Sequence, residues 1–359
     1  MCQDARSTVW VEREAHLMGT RLRMRVEAPD RTSGLRATER AFSSVREAES
    51  LLSTWRPDTE VSRLNRAPVH QPTPVSTRLA SLLEEVLAWS EETGGAFDPV
   101  SGALVDTWDL RGDGAVPSAA LVEAAVAATG SGGFRLVDGG RGAIRLHPAA
   151  WIDAGGFGKG LALRVARKAL LESGIRRGIL DFGGQIETLG EPDPEEIQAS
   201  GGNPGLVAEI DGESGWRISV ADPGDRRVPA AELCVGEASA ATSGGSERFV
   251  LREGRRWSHV VDPRSGRAVP PWGSVTVVAD DPLIADVLST ALFVMGPEEG
   301  MRWSKGRSDV AALFLERSSG RVHARWTPAM ERFLYGCHRA SDRSNIRTEI
   351  QSSIERNHP

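Results

Sequence analysis

A glycine-rich loop that leads straight into a helix is the feature that most restricts how this chain of 359 residues can fold. Residues 153–160 read DAGGFGKG, and the LALRVARKALLESG that follows has apolar residues at helical spacing. We expect that helix to stop near Gly174. Glycines before a helix let a ligand approach the backbone, and the N–H groups of the first turn favour an anion. The loop therefore predicts either a phosphate or nucleotide site, or a tight turn without a ligand.

The loop departs from both common phosphate-binding motifs. No serine or threonine follows Lys159, as a P-loop would require, and the glycines do not have GxGxxG spacing. A ligand-free turn fits the loop alone equally well. The choice between these alternatives depends on the other segments of the chain.

Composition and charge limit the class of protein. The sequence is 40% hydrophobic and 26% charged with a net charge of −6, which is ordinary for a globular protein. It has no basic tract, so no nucleic-acid partner is expected. It has no apolar run of the about 18 residues needed for a membrane helix, so no membrane insertion is expected. The 3 cysteines show neither metal-type spacing nor a disulfide framework.

The N-terminal residues bear on localisation. The sequence MCQDARSTVWVEREAHLMGT lacks the basic and apolar regions of a signal peptide. As written, the chain is therefore expected to be cytoplasmic. If an upstream signal is missing from the sequence, Cys2 could be a lipid-attachment cysteine, and the protein would be exported or lipid-anchored.

Helical and strand patterns mix without strict βαβ alternation. Helices are predicted over residues 35–52, 77–92, 117–129, 161–173 and 282–295. Strands are predicted within 10–27 and 178–186, and at 134–137, 143–146, 151–152, 207–210, 216–220, 233–235, 248–251, 257–261, 274–278 and 310–315. This order predicts an α+β fold of mixed sheets with packed helices rather than a Rossmann fold.

The chain is expected to form one domain or two closely packed lobes. That domain would cover residues 1–335. Residues 192–205 are rich in proline, glycine and polar residues, and are expected to form a surface excursion. Residues 336–359 are polar and charged, which predicts a disordered or mobile tail.

Five short segments carry polar residues that a packed core does not need. They are residues 153–160, 181–185, 241–245, 258–266 and 285–290. Asp286 and Thr290 are four positions apart in an apolar predicted helix, so they share one face. They are either a hydrogen-bonded pair or two oxygen ligands for a hard cation such as Mg²⁺. His259 is either structural or catalytic. The five polar segments together predict one shared polar site.

With these motifs the chain resembles the ApbE family of FAD:protein FMN transferases. The motifs occur in order as MGT (18–20), STWRPDTEVSRLN (53–65), TGGAFDP (93–99), DAGGFGKG (153–160), DFGGQ (181–185), WRISVADP (216–223), ATSG (241–244), HVVDPRSG (259–266) and ADVLSTA (285–291). The resemblance runs from Met18 to about Leu315. It implies an ApbE-like, T-fold related architecture.

The resemblance also implies an activity and a set of site residues. A member would use Mg²⁺ to move the FMN half of FAD onto a serine or threonine of an acceptor flavoprotein, a redox subunit or domain, and would release AMP. The residues that would lie along FAD are Met18, Trp55, Ala96, Phe97, Asp98, Asp153, Lys159 and, through its backbone, Val260. Mg²⁺ would be held by the Gly156 carbonyl and the Asp286 and Thr290 side chains, with Ser289 nearby.

The chemistry of this transfer needs a base for the incoming hydroxyl and a way to offset phosphate charge. His259 is the one residue of the motif set that ordinarily titrates near neutral pH, so it is the candidate base. Asp286 and Asp262 could share that role.

Three places in or beside the motifs depart from the family pattern. Gly245 and Ser246 follow the TSG triplet where a polar or acidic residue, often with an aromatic one, is usual. Gln185 replaces a common asparagine or aspartate, and Trp55 replaces the commoner tyrosine. Two alternatives remain: a FAD pyrophosphatase that gives FMN and AMP, and a FAD-binding module without turnover. The sequence leaves the acceptor's identity and the oligomeric state open.

Overall fold

A computed structural model describes residues 8–137, 139, 141–193, 207–210, 213–245, 249–252, 255–318 and 320–337. Its helices are α1 (Arg31–Leu52), α2 (Glu60–Asn65), α3 (Thr77–Glu92), α4 (Gly102–Thr107), α5 (Ala119–Val126), α6 (Gly158–Glu172) and α7 (Pro282–Ser304). Its strands are β1 (Val9–Leu17), β2 (Thr20–Ala28), β3 (Pro72–Pro74), β4 (Phe134–Val137), β5 (Gly142–Arg145), β6 (Gly178–Phe182), β7 (Gln185–Leu189), β8 (Val207–Ile210), β9 (Glu213–Asp222), β10 (Asp225–Val235), β11 (Ser239–Gly244), β12 (Phe249–Arg252), β13 (Arg255–Ser258), β14 (Val261–Asp262), β15 (Arg267–Ala268), β16 (Gly273–Ala279), β17 (Ala311–Ser318), β18 (Arg321–Trp326) and β19 (Leu334–Cys337).

An eight-stranded sheet in the order β1-β2-β6-β7-β11-β16-β17-β18 is the largest layer. A four-stranded sheet has the order β19-β10-β9-β8. Every strand pairing within the described ranges is antiparallel, whereas a Rossmann fold needs parallel strands. The predicted α+β class is therefore confirmed.

The core lies on both faces of the large sheet. Apolar residues of β1, β2 and β6 pack with the inner faces of α1 and α6. Val275 and Val277 of β16 pack with α7, whereas Val278 packs with β9 and β10 of the smaller sheet. This alternation follows from the two-residue period of a strand. It places α6 and α7 side by side on one face, where the loops of the site gather.

The helix predictions hold, and their ends have local causes. Asp30, Ser76 and Asp281 cap α1, α3 and α7 by accepting hydrogen bonds from backbone N–H groups of the first turn. The predicted end of α7 at Met295 coincides with a kink at Gly296, whose φ of 72° and ψ of 174° are not helical. No helix in the described part of the chain has both the length and the apolar content to cross a membrane.

One predicted strand is wrong, and another is interrupted. Residues 151–152 form no strand, because their backbone groups bond to Gly102 N and to the Asn65 side chain. The strand predicted over 257–261 breaks after Ser258, whose hydroxyl accepts a hydrogen bond from Val260 N and turns the backbone.

Several elements were not predicted from the sequence. They are α2, α4, β3, β11, β15, β18 and β19. Gly336 and Cys337, expected in the tail, pair with β10. The other tail residues, 338–359, most of the predicted 192–205 excursion, Cys2 and Ser246 lie outside the described residues.

The close contact between α6 and α7 depends on Gly160. A Cβ atom at this position would lie 2.4 Å from Pro282 O and 2.6 Å from Leu283 Cα. Both contacts are with backbone, which cannot rotate away. The helices could not keep this spacing with any larger residue at position 160.

We expect Gly160→Ala to lower the free energy of unfolding by about 1–3 kcal/mol, because the added methyl group overpacks the helix contact. Denaturant titration would measure the loss. Gly236→Ala is the matched control, since a Cβ there would meet nothing within 4 Å. Equal stability of the two variants would contradict the prediction.

Candidate active site

A cavity of about 610 Å³ opens where the loops beside α6 and α7 meet. Its walls come from the β1–β2 turn, the end of α1 and the residues after it, and segments 96–111, 153–159, 242–244 and 259–263, with one face of α7. This volume lies within the roughly 300–1,000 Å³ range of small-molecule sites. Four of the five predicted polar segments contribute to it.

The cavity brings together nearly all of the predicted site residues. Those that line it are Met18, Trp55, Ala96, Phe97, Asp98, Asp153, Gly156, Lys159, His259, Val260, Asp286 and Thr290. Ser289 does not line it: its hydroxyl donates to Asp286 O at 3.0 Å and pairs with Ser243 Oγ at 2.9 Å. Its role at a metal stays a prediction.

The segment 181–185 is the one predicted polar segment that does not line the cavity. Gly183 and Gly184 have φ of 59° and 92°, as the two central residues of a type I′ turn require, and they join β6 to β7. Asp181 Oδ1 accepts a hydrogen bond from Gly184 N at 2.9 Å. Gln185 is buried and donates to Pro282 O at 2.8 Å, at the start of α7. These polar residues therefore shape a hairpin.

Asp286 forms the polar centre of the cavity. Its side chain is almost fully buried, with 3% exposed. Its Oδ1 accepts a hydrogen bond from Lys159 Nζ at 2.9 Å, and its Oδ2 accepts one from Gly160 N at 2.9 Å. A buried carboxylate needs such compensation for its charge. The first turn of α6 and the face of α7 are therefore joined at this residue.

Gly156 and Thr290 lie next to this centre. A Cβ atom at Gly156 would be 3.3 Å from Thr290 Oγ1, so the loop backbone and the hydroxyl are close neighbours. Together with Asp286 they offer one carboxylate, one hydroxyl and one backbone carbonyl. Mg²⁺ is commonly held by one or two carboxylates, and completes its shell with water and substrate phosphates. The donor set therefore fits this ion.

Asp98 has a different environment from Asp286. It is 7% exposed, and its two carboxylate oxygens accept hydrogen bonds from Val100 N at 2.8 Å and Gly130 N at 2.6 Å. Burial raises the pKa of Asp98 to about 6, and these two hydrogen bonds act in the opposite direction. Both oxygens face backbone, so the side chain shapes the wall formed by Ala96 and Phe97.

Met18 reaches the cavity because β1 and β2 are joined by a two-residue turn. Met18 and Gly19 have φ of 49° and 75°, as a type I′ turn requires. Met18 N donates to Glu49 Oε1 at 3.1 Å. A Cβ atom at Gly158 would lie 3.3 Å from Met18 Cε, so the glycine leaves room for this side chain.

Asp153 is held on both sides. Its Oδ1 accepts a hydrogen bond from Gly155 N at 2.7 Å, and its Oδ2 accepts one from Arg111 at 2.5 Å. The preceding Ile152 exchanges two hydrogen bonds with the Asn65 side chain, at 2.8 and 3.0 Å. Asn65, the last residue of the STWRPDTEVSRLN motif, thus fixes the start of the glycine loop.

His259 lies on a loop that is tied to α7. Arg264 donates to Asp262 Oδ1 at 3.0 Å and pairs with Glu299 in the second half of α7 at 2.5 Å. His259 and Val260 line the cavity, and Asp262 does not. Of the candidate bases, His259 and Asp286 therefore face the site.

Sequence reasoning missed several residues that line the cavity. They include Glu49, Arg111 and Ser243. Ser243 lies in the ATSG motif (241–244), whose individual residues have no predicted role. Glu49 and Arg111 lie among many similar charged residues, and no local pattern distinguishes them.

Comparison with known proteins decides the family. The model of the ApbE family matches residues 18–314. The chain belongs to the ApbE family. It is similar to the FAD:protein FMN transferase of Treponema pallidum, with 30% identity over 311 residues, 83% of this chain and 82% of that protein. It is also similar to one from Klebsiella pneumoniae, with 28% identity over 307 residues, 85% of this chain and 88% of that protein.

Solved ApbE structures share its fold. The flavinyl transferase ApbE of Pseudomonas stutzeri aligns with a TM-score of 0.77 at 25% identity, over 94% of this chain and 100% of that one. The ApbE protein of Thermotoga maritima gives a TM-score of 0.77 at 25% identity, over 90% and 99%. The expected ApbE-like architecture is confirmed.

The raised pKa of Asp98 predicts a pH-dependent stability. The folded carboxyl keeps its proton up to about pH 6, whereas the unfolded one releases it near 3.8. Its contribution to stability is therefore present at low pH and lost as the pH rises from about 4 to 6, by roughly 3 kcal/mol in all. Unfolding free energies of the wild type and Asp98→Asn, measured across this window, should show the wild type losing stability relative to the variant. A constant difference between them would contradict the assignment.

Proposed function

We propose that this ApbE-family protein transfers the FMN half of FAD to a serine or threonine hydroxyl of an acceptor protein, with Mg²⁺, and releases AMP. One observation carries the proposal: a single cavity holds the Lys159–Asp286 pair, Thr290, the Gly156 backbone and His259. Lysine and oxygen ligands suit a pyrophosphate, and a histidine suits proton removal from a hydroxyl.

Apolar side chains supply the surface that the flat rings of FAD need. The cavity is also lined by Leu52, Phe97, Leu104, Val105, Leu110 and Val294. Ligand sites commonly combine such walls with a few polar groups that fix orientation. This combination favours a ligand with large ring systems joined by a charged centre.

Asp286, Thr290 and the Gly156 carbonyl would hold Mg²⁺. When bound, the ion would offset negative charge on the pyrophosphate oxygens. Lys159 would stay beside Asp286 and offer a second positive charge to the phosphates. The N-terminus of α6, directly after the glycine loop, adds the positive end of a helix dipole.

The transfer itself requires one bond to form and one to break. The acceptor oxygen forms a bond to the phosphorus on the flavin side, and the phosphorus–oxygen bond to AMP breaks. His259 takes the proton of the acceptor hydroxyl, and AMP leaves with the electron pair of the broken bond. Electrons and atoms balance without any oxidant or reductant.

The products distinguish this function from its alternatives. The protein would be incubated with FAD, Mg²⁺ and candidate acceptor proteins, followed by mass spectrometry of the acceptors and chromatography of nucleotides. An FMN adduct together with AMP supports the proposal. Free FMN and AMP with no adduct on any acceptor would support a FAD pyrophosphatase, and intact FAD a binding module.

Asp286→Asn should reduce the rate of transfer at least about 100-fold, because the site loses the charge that binds both Lys159 and the metal. Steady-state assays over a range of Mg²⁺ concentrations would show the lower rate. They would also show that the rate responds less to added Mg²⁺ than that of the wild type. Asp280→Asn is the matched control, an exposed aspartate near the start of the same helix. Unchanged transfer by Asp286→Asn would overturn the metal assignment.

His259→Asn should lower kcat by roughly 10²- to 10⁴-fold, the usual contribution of a general base. FAD binding should change much less, because the proton is needed only in the chemical step. Calorimetry gives the binding constant and single-turnover assays give the rate. A variant with a normal rate would remove His259 from the mechanism.

A further inference from the structure

We infer that Arg111 is a positioning residue that holds Trp55 as an aromatic platform at the cavity, where it stacks on a ring system of the dinucleotide. The inference rests on the proposed function, since it concerns how the same cavity selects FAD. Both residues line the cavity. Arg111 belongs to none of the sequence motifs, and its contacts give it this role.

The guanidinium group of Arg111 lies over two indole rings. Its Cζ atom is 4.9 Å from the centre of the Trp55 ring and 4.5 Å from that of Trp151. Its NH2 group donates to Thr54 Oγ1 at 2.7 Å and to Asp153 Oδ2 at 2.5 Å. A cation held over an aromatic face is attracted to it, and two directed hydrogen bonds fix the plane of the group.

Trp151 gives Arg111 a rigid support. Trp151 Nε1 donates to Asp106 Oδ2 at 2.8 Å. A Cβ atom at Gly102 would lie only 2.1 Å from Trp151 Cδ2, so the indole packs directly on the backbone of α4. Trp151 therefore has little freedom to move. The guanidinium group of Arg111, which packs on it, is held in place as well.

Trp55, by contrast, is 74% exposed, the most exposed of the large apolar residues in the described part of the chain. The backbone before it is fixed, because Ser53 O accepts hydrogen bonds from Thr59 Oγ1 at 2.6 Å and Ser62 Oγ at 3.0 Å. Arg111 then orients the indole from one side. An ordered, exposed indole at the edge of a ligand cavity is suited to stack on a flat aromatic ring.

The contacts require arginine rather than lysine. The planar guanidinium stacks on aromatic rings and donates in a fixed fork, whereas an ammonium group is a compact, strongly hydrated charge. Asp153 balances the charge of Arg111, so the pair offers the ligand an ordered ring rather than a free cation. FAD has two ring systems, isoalloxazine and adenine, and either could supply the stacking partner.

A double-mutant cycle on FAD affinity tests the inference. Calorimetry without Mg²⁺ would measure the dissociation constant of FAD for the wild type, Arg111→Met, Trp55→Ala and the double variant. Each single substitution should weaken binding by at least about fivefold, the lower end of the loss expected when one stacking contact is removed. The double variant should bind no more weakly than Trp55→Ala, because Arg111 acts through Trp55. If the two single losses of affinity multiplied in the double variant, the inference would be overturned.

Three further measurements sharpen this result. Arg111→Lys should weaken binding nearly as much as Arg111→Met, and it replaces that variant in the cycle if Arg111→Met fails to fold; full rescue by lysine would overturn the stacking role. In transfer assays, KM for FAD should rise by a larger factor than kcat falls.

Titrations with FMN and with AMP identify which ring of FAD stacks on Trp55, since the affinity lost in Trp55→Ala should appear with one of these two ligands. A loss in neither would exclude stacking.

Arg307→Met is the matched control. Arg307 lies 4.2 Å over the Trp303 ring and pairs with Glu92, so it repeats the chemistry of Arg111 outside the cavity. Its FAD affinity should equal that of the wild type. Absence of FAD binding by the wild type would overturn the proposed function and this inference with it. Normal transfer combined with independent effects of Arg111 and Trp55 would overturn this inference alone.

Discussion

The contact between α6 and α7 at Asp286 is the interaction on which the site depends. One carboxylate accepts hydrogen bonds from Lys159 and from Gly160 N, and the missing side chain at position 160 lets the two helices approach. A few residues along, Arg164 of α6 donates to Asp281, the cap of α7, at 2.7 Å. Two charged contacts therefore fix the position of one helix along the other. Any ligand held between the glycine loop and α7 needs that spacing.

The loops around this contact are held mainly by side-chain hydrogen bonds to backbone. Asn65 binds both backbone groups of Ile152, Asp98 binds two amides, and Ser258 binds Val260 N. Irregular segments cannot satisfy their N–H and C=O groups in a ladder, so polar side chains take that place. Some residues of each motif therefore have a structural role. Around this cavity, residues that hold the loops and residues that face a ligand alternate within the same short segments.

Local patterns predicted most of the fold and most of the site. The α7 pattern placed Asp286 and Thr290 on one face, and the helix end predicted at Met295 coincides with the kink at Gly296, after which α7 continues to Ser304. Residues 151–152 have the composition of a strand, but Gly102 and Asn65, distant in sequence, take their hydrogen bonds. Arg111 could not be found for the same reason: its partners Thr54 and Asp153 are 57 and 42 positions away. Contacts of this range follow from the fold and leave no local signal.

The two buried aspartates of the cavity show how one chemical group takes two roles. The two hydrogen bonds to Asp98 come from neutral backbone amides, and burial raises its pKa to about 6. Asp286 has a lysine cation beside it as well as an amide. Contact with a cation offsets part of the cost of burying a charged carboxylate. The partners of each carboxylate, rather than the residue type, therefore distinguish the aspartate that shapes a loop from the one that joins α6 to α7.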